Sequence, residues 1–531
     1  MKAYLRSRRW ALGYGLVLAV LVALPYAAAW QAQGQAWRFS GFLMGVEDGN
    51  SYLAKMLLGA RGAWLFRLPY TTWRLAPLPV FLPYLWLGKL AAGAGLHLQL
   101  AVLFHWARLA GVVAWVLATY DFAALFLPAE RWRRWAVVLA TAGAGLGWLL
   151  APWARLSWAG PLCFYSPETY GFLAALLLPH LLWARALLLW ILRRVLLASP
   201  RRMEWQAAAL AALLAWLHPL ELLPLVAVLG GWGGGTVLWA WWRQGKPEAI
   251  RQARQIAPRA GPALAVASLA AGGYAWLARV NPYLRVWTAQ NLLPSPPWWQ
   301  YGLAYGWLLP FAWWGRWRWR RGGWRTVLPL VWVAIFPALV YAPLTVQRRL
   351  ADGVWVAWAV LAAAGLAEAA RRWGHSRIRK LAWGVLGMAV VPNVLVLVGV
   401  MGMAFRHAPP AFLPEREVAA FQALGAQVAS GDGVLAAYAT GNALPAWAPV
   451  RVVAGLGPES PHLAVQEAAL RQFFSPATPD SWRRAFLQEN HLRWVFWGPA
   501  ERALGGWDPH QSAWLCLRYE QDGYAFWEVC R

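Results

Sequence analysis

Residues 45–56 read GVEDGNSYLAKM. Glu47 and Asp48 stand side by side in a chain of 531 residues that carries 49 Lys+Arg and only 22 Asp+Glu. Adjacent carboxylates are equipped for general-base work, and Tyr52, four residues past Asp48, falls on the same face of a helix. Residues 1–405 hold ten acids. Glu130, Glu204, Glu248 and Glu368 fall in or beside Arg clusters, and Asp121 falls late in an apolar run. The other five, Glu47, Asp48, Glu168, Glu221 and Asp352, fall at the ends of apolar runs or in the loops between them. They come from four separate loops, which a helical bundle is able to gather. Arg285, Arg348 and Arg349 lie in loops of the same set. The guanidinium group suits bidentate contact with phosphate. Acids that accept a proton, facing Arg that holds a phosphate, suit group transfer from a phosphorylated lipid.

The elements that position these residues are read from composition. Hydrophobic residues make up 60% of the chain and charged residues 13%. Apolar runs of about twenty residues recur, the length that crosses a ~30 Å hydrocarbon core. The runs are continuous rather than alternating, which argues for helices over a membrane β-barrel. The chain reads as a multi-pass α-helical membrane protein. Its net charge of +27 is concentrated in short clusters between the runs. That is the pattern of cytoplasmic anchoring and not of nucleic-acid binding.

Lys2, Arg6, Arg8 and Arg9 precede the first run and place the N-terminus in the cytoplasm. Further clusters at 131–134, 193–202, 243–259, 316–325 and 371–380 then require an even number of crossings between them. Eleven spans satisfy this: 11–30, 100–127, 136–153, 171–192, 206–217, 221–242, 261–281, 299–315, 326–342, 353–370 and 381–404. The stretch 79–95 is expected to lie along or dip into the outer interface. The expected division is a transmembrane domain, 1–405, with a long first outer loop, 31–99, and a small extracytoplasmic α/β domain, 406–531.

That tail holds 12 of the 22 acids. VLAAYAT, VRVVAG and RWVFWG read as strands and SWRRAFLQEN as a helix. WLCLRYEQDGYAFWEVC reads as a hairpin about Asp522-Gly523, with Cys516 opposite or nearly opposite Cys530. Outside the cytoplasm those two form a disulfide. GNALPAW (441–447) and GLGPESPH (455–462) fit neither a P-loop nor a dinucleotide fingerprint and read as ordinary strand-end loops.

On these residues the chain resembles the GT-C glycosyltransferases, which include protein O-mannosyltransferases, aminoarabinose transferases and the catalytic subunit of oligosaccharyltransferase. Members carry an acid in the first outer loop, a Tyr four residues later on a helix, and a Trp shortly after a Gly. Here these match Asp48, Tyr52, Gly62 and Trp64. Many relatives have Asp-Glu where this chain has Glu47-Asp48. The spacing to Tyr52 favours Asp48 as the catalytic acid, with Glu47 as the second candidate. SPETYGF (166–172) resembles the second outer loop and carries the assisting acid over to Glu168.

The resemblance implies transfer of a sugar from a polyprenyl-phosphate-linked donor to an acceptor hydroxyl on a glycan, lipid or protein, at the outer face of the plasma membrane and with inversion. Asp48 is then the base. Tyr52, Glu168, His218, Glu221, Arg285, Arg348 and Arg349 are the expected substrate-binding set. Many relatives work without a metal, so none is required; the hard oxygens of Asp48 and Glu168 would suit Mg2+ or Mn2+. The ordinary readings of His180 and His218 are a hydrogen-bonded core histidine and a helix-end residue. The rival functional reading is a polytopic transporter or lipid flippase, which predicts internal repeats and helices broken at matched positions. No such repeat is visible.

Overall fold

The computed structural model describes residues 8–153, 160–199, 201–315 and 324–530. Lys2 and Arg6 of the first basic cluster, 154–159 of the second outer loop and 316–323 of a later basic cluster lie outside the described residues.

The chain is mostly helical. Among the described residues, six helices are long and apolar enough to cross a membrane: Arg9–Ala32, Leu96–Ala124, Pro219–Gln244, Lys246–Val280, Gln347–Trp373 and His375–Met403. Trp205–Leu217 and Leu328–Val340 are shorter apolar helices. The eleven expected spans are therefore not eleven long helices, and Gly and Pro are the reason. The 136–153 run divides at Gly143–Gly145 into a helix, Glu130–Ala142, and a 3-10 stretch, Leu146–Trp153. The 171–192 run divides into Gly171–Leu177 and Pro179–Leu197. Leu178 between them is extended (φ −130°, ψ 95°), as a residue before Pro prefers. The 299–315 run divides after Tyr305 into Trp298–Tyr305 and Leu309–Trp314.

The chain forms two compact units. The first comprises Met1–Ala23, Ala107–Leu277 and Leu292–Gly399. Its centre is the helix Val354–Trp373, whose AVLAAAG stretch is buried throughout. Around it pack Leu139, Leu187, Leu188 and Trp332.

The second unit comprises Leu24–Trp106, Ala278–Asn291 and Val400–Arg531. Here β1 (Trp37–Phe39) pairs antiparallel with β2 (Phe412–Pro414), in the register Arg38 to Leu413. The other strands are β3 (Gly433–Leu435), β4 (Arg451–Val452), β5 (Trp494–Trp497), β6 (Leu515–Gln521) and β7 (Tyr524–Val529). They form one mixed sheet in the order β4-β3-β5-β7-β6, with β3 parallel to both β4 and β5. The β6–β7 turn has positive φ at both Asp522 (52°) and Gly523 (80°), the requirement of a type I′ hairpin. Cys516 and Cys530 form a disulfide; Cys163, in the first unit, is a buried thiol.

Two stretches differ from expectation. VLAAYAT is a strand only to Leu435, and its end runs into the helix Tyr438–Ala443. The strand stops where the Ala437 N–H donates to the Glu501 carboxylate (2.9 Å) instead of to a neighbouring strand. GNALPAW is therefore helical rather than a loop. One hydrophobic cluster of this unit draws on both the first loop and the tail. Ala54 and Tyr70 of the first loop share it with Leu413, Phe421, Val434, Phe496 and Phe526 of the tail.

Candidate active site

In the second unit, Gly45 adopts a left-handed conformation (φ 58°, ψ 39°) and starts the helix Val46–Ala60. Glu47 and Asp48 thus occupy its first turn, where unpaired N–H groups favour negative charge. Both are exposed. The helix is fixed by a close crossing with the short helix Leu82–Gly88. A Cβ on Gly59 would collide with the carbonyl of Leu85, and one on Gly88 with that of Met56. Backbone meets backbone there, and only glycine permits it. Tyr52 stacks on Tyr84 with ring centroids 4.3 Å apart, so its ring belongs to an aromatic wall. Arg285 lies exposed on the helix Pro282–Gln290, which Asn281 caps by accepting from Leu284 N (3.0 Å).

The same helix carries residues that the sequence reading passed over. Lys55 is fully buried, with Nζ 2.6 Å from Oε1 of Glu459. Ser51 Oγ donates to the same oxygen (3.2 Å). Three rings surround the ammonium: Phe81 at 4.5 Å, Phe66 at 5.4 Å and Tyr52 at 5.7 Å. Tyr438 Oη donates to Glu47 Oε2 (3.2 Å). Burial, then the neighbouring Glu47 charge, pushes the Tyr438 phenol above its ordinary value, so it holds its proton. Asn442 Nδ2 donates to the Glu47 carbonyl (3.2 Å), and Asn50 Nδ2 donates to Asn442 Oδ1 (2.8 Å). Spacing offered a signal: Glu47, Ser51 and Lys55 repeat every four residues along one stripe.

In the first unit, the 3-10 turn Gln347–Ala351 carries Arg348 and Arg349. Their Nε atoms lie 3.9 and 3.7 Å from the carboxylate of Glu168, which is only 7% exposed. Ser166 Oγ also donates to Glu168 (3.2 Å), and the Arg348 guanidinium sits 4.9 Å over the Tyr165 ring. Asp352 is buried against Arg185 of the helix Pro179–Leu197, and Arg185 also donates to the Pro167 carbonyl. Arg185 is a second residue that the sequence reading missed. The available signal was a charge inside an apolar run, which needs a partner. His218 ends the helix Trp205–Leu217, and its ring lies 5.1 Å from that of His180. Glu221 follows in the 3-10 turn Pro219–Glu221 and is buried, its Oε1 without a hydrogen-bond partner among the described residues.

Glu168, Arg348 and Arg349 are thus together, as are His180 and His218. Glu47, Asp48 and Tyr52 share one helix. Two buried polar side chains of the helix Leu96–Ala124, His105 and Arg108, bond to backbone carbonyls. His105 Nε2 bonds to the Gly41 carbonyl (2.8 Å), and Arg108 donates to the Ala175 carbonyl (2.5 Å) and, at longer range, to that of Val22 (3.4 Å). Among the described residues no group of three or more His, Cys, Asp or Glu is arranged to hold a metal. Glu168 in particular faces two guanidinium groups, a positive setting that does not fit a divalent cation.

No family model matches the chain, and no curated protein matches it in sequence. Solved structures do match in fold. The oligosaccharyltransferase of Archaeoglobus fulgidus, tethered to an acceptor peptide, superposes with a TM-score of 0.54 at 13% identity, over 100% of this chain and 75% of that one. Its apo form gives 0.55 at 12% identity, over 98% and 74%. The same enzyme, AglB, with an inhibitory peptide and a dolichol-phosphate gives 0.54 at 12%, again over 98% and 74%. At such identities the likeness speaks for the fold alone: this chain has the fold of that archaeal oligosaccharyltransferase, in keeping with the resemblance read from its sequence.

Proposed function

We propose that this protein is an integral-membrane glycosyltransferase that moves a sugar from a polyprenyl-phosphate-linked donor to an acceptor hydroxyl at the outer face of the plasma membrane. The observation that carries the reading is a GT-C fold in which two exposed acids, Glu47 and Asp48, open a helix with Tyr52 one turn further on. The oligosaccharyltransferase of like fold has been seen with a dolichol-phosphate, a carrier of the same chemical class.

Asp48 is the general base. It takes the proton of the acceptor hydroxyl as that oxygen attacks the anomeric carbon. The bond from that carbon to the phosphate oxygen breaks, and the lipid phosphate leaves with the electron pair. Displacement from the opposite face inverts the anomeric centre. Arg348 and Arg349 are assigned to the phosphate, with Arg285 as a further cation, an electrostatic role that grows as the leaving group gains charge. Glu168 keeps the two adjacent guanidiniums oriented. His218 and Glu221 are assigned to substrate contacts, and no step is given to a metal. The N-terminus is cytoplasmic and residues 406–531 are outside.

The test uses membranes holding the full chain and a labelled polyprenyl-phosphate sugar. Transfer by the parent, lost in Asp48→Asn, is expected, with an inverted linkage in the product. Full transfer by Asp48→Asn would remove Asp48 as the base.

A further inference from the structure

We infer that the C-terminal part of the chain is a working component of the transferase: Glu459, through Lys55, positions the first turn of the acid-bearing helix, and Tyr438 completes the grip through Glu47. The inference rests on the function proposed above and assigns the tail a role within it.

Three tail side chains engage one stripe of the helix Val46–Ala60. Tyr438 takes the carboxylate of Glu47 at 3.2 Å, Asn442 takes its carbonyl at 3.2 Å, and Glu459 takes Ser51 at 3.2 Å and Lys55 at 2.6 Å. The grip therefore spans the helix from its first turn to its third. Asp48 stands about 100° around the axis from Glu47 and within about 20° of Lys55, so it shares the face that Glu459 holds.

The pair at the far end is an unlikely choice for stability alone. Lys55 is 0% and Glu459 4% exposed, and burying both charges costs as much as or more than their attraction returns. Two apolar side chains would fill the site between Phe66 and Phe81 without that cost. What a buried ion pair supplies and an apolar contact does not is one orientation. Glu459 is itself held rigidly. Ser460 Oγ accepts from Gly455 N (3.1 Å) and Leu456 N (3.3 Å). Gln290 Nε2 donates to the carbonyls of Gly457 (3.2 Å) and Ser460 (2.9 Å), and Tyr283 Oη to that of Glu459 (3.3 Å). The segment GLGPESPH, read from sequence as an ordinary loop, is the anvil on which the helix is set.

The experiment separates positioning from packing. Full-length Lys55→Met, Glu459→Gln and the double variant Lys55→Met/Glu459→Leu are compared with the parent for thermal stability, kcat, and KM for the labelled donor. Misplacing a base by about 1 Å costs on the order of 100-fold, so each single variant is expected to lose ~10- to 100-fold in kcat with KM within about twofold. The double variant is expected to recover the parent's melting temperature and not its kcat. Tyr438→Phe is expected to lose a smaller factor, about three- to tenfold, at unchanged stability. Recovery of kcat together with stability in the double variant would reduce the pair to packing and overturn the inference. So would parental kcat in a folded Glu459→Gln, the isosteric change that keeps the site filled if the double variant does not fold. Asp48→Asn is run beside them. If it is inactive while the Lys55 and Glu459 variants turn over normally, this inference fails and the transferase reading stands; if it is fully active, the base assignment itself has failed.

Discussion

Glu168 and Asp352 on one side, and Glu47 and Asp48 on the other, are carboxylates in opposite surroundings. The first two are buried in the first unit and face guanidiniums: Glu168 those of Arg348 and Arg349, Asp352 that of Arg185. The second two are exposed at the start of a helix. A carboxylate facing a fixed cation serves to aim that cation. An exposed one is able to exchange protons with an incoming hydroxyl. Under the proposed function the acids that looked alike in the sequence divide by task, and the sharpest way to break the division is kinetic. Asp48→Asn is expected to lower kcat by ~10²–10⁴-fold, the usual contribution of a general base. Glu168→Gln is expected to act mainly on KM for the donor, by about tenfold, because Arg348 and Arg349 keep their charge and lose their aim. Equal losses of kcat in both variants would erase the distinction.

The two buried ion pairs extend the contrast to stability. Arg185–Asp352 lies in the first unit and Lys55–Glu459 in the second. Removing one partner of a buried pair costs roughly 3–5 kcal/mol, because it strands the other charge. Arg185→Leu is expected to lower the melting temperature in detergent accordingly, and Arg185→Leu/Asp352→Leu to regain most of it. A single variant as stable as the parent would show that solvent or a substrate already relieves the charge there.

What the sequence disclosed follows the same line. The apolar runs, the acid doublet, the hairpin and the GT-C layout are local signals, written in consecutive residues. Helix breaks were harder to read, because mean hydropathy continues smoothly across Leu178-Pro179 while the backbone does not. Partners across long separations were harder still. Lys55 and Glu459 are 404 residues apart, and nothing near either names the other. GNALPAW looked like a loop because Gly and Pro punctuate it, yet the helix starts before them, and Asn442 within it donates to the Gly455 carbonyl (2.7 Å). Arg185 was visible as a charge in an apolar helix, but its partner Asp352 was visible only as an acid in a loop.

The hairpin offers a third, smaller contrast, between a covalent tie and the non-covalent grip on the acid-bearing helix. Cys516 and Cys530 are 14 residues apart. Closing a loop of that size restricts the unfolded chain by about 3 kcal/mol in the entropic account. Cys516→Ser/Cys530→Ser is expected to lower the melting temperature of the second unit by a corresponding amount. Transfer measured well below that temperature should remain within about twofold of the parent, since the tie lies at β6 and β7 and not among Tyr438, Asn442 and Glu459. A large loss of kcat at low temperature would mean that the hairpin, too, helps to hold the helix.

The smallest effect concerns a carboxylate beside another carboxylate. Glu501 is buried, which raises its carboxyl, while the backbone N–H groups of Ala437 and Gly498, each donating to it at 2.9 Å, act against that rise. Glu417 lies near it without such donors, and burial, followed by the Glu501 charge, pushes it up to about 7 from its ordinary 4.5. The folded state thus binds the Glu417 proton more tightly than the unfolded chain does. Its contribution to stability is fully present below pH 4.5 and is lost as pH rises through 7. Glu417 is half-buried, so solvent screening leaves on the order of 1 kcal/mol. Melting temperatures of the parent are expected to fall between pH 5 and 8 by the corresponding small amount, and Glu417→Gln should remove that part of the slope. A parent whose stability does not fall across this window would show that Glu417 is not held protonated in the folded state; Glu528, bound by Arg493 and Arg518, acts outside the window, because its carboxyl is held below the ordinary 4.5 and its contribution is lost only as pH falls below that value.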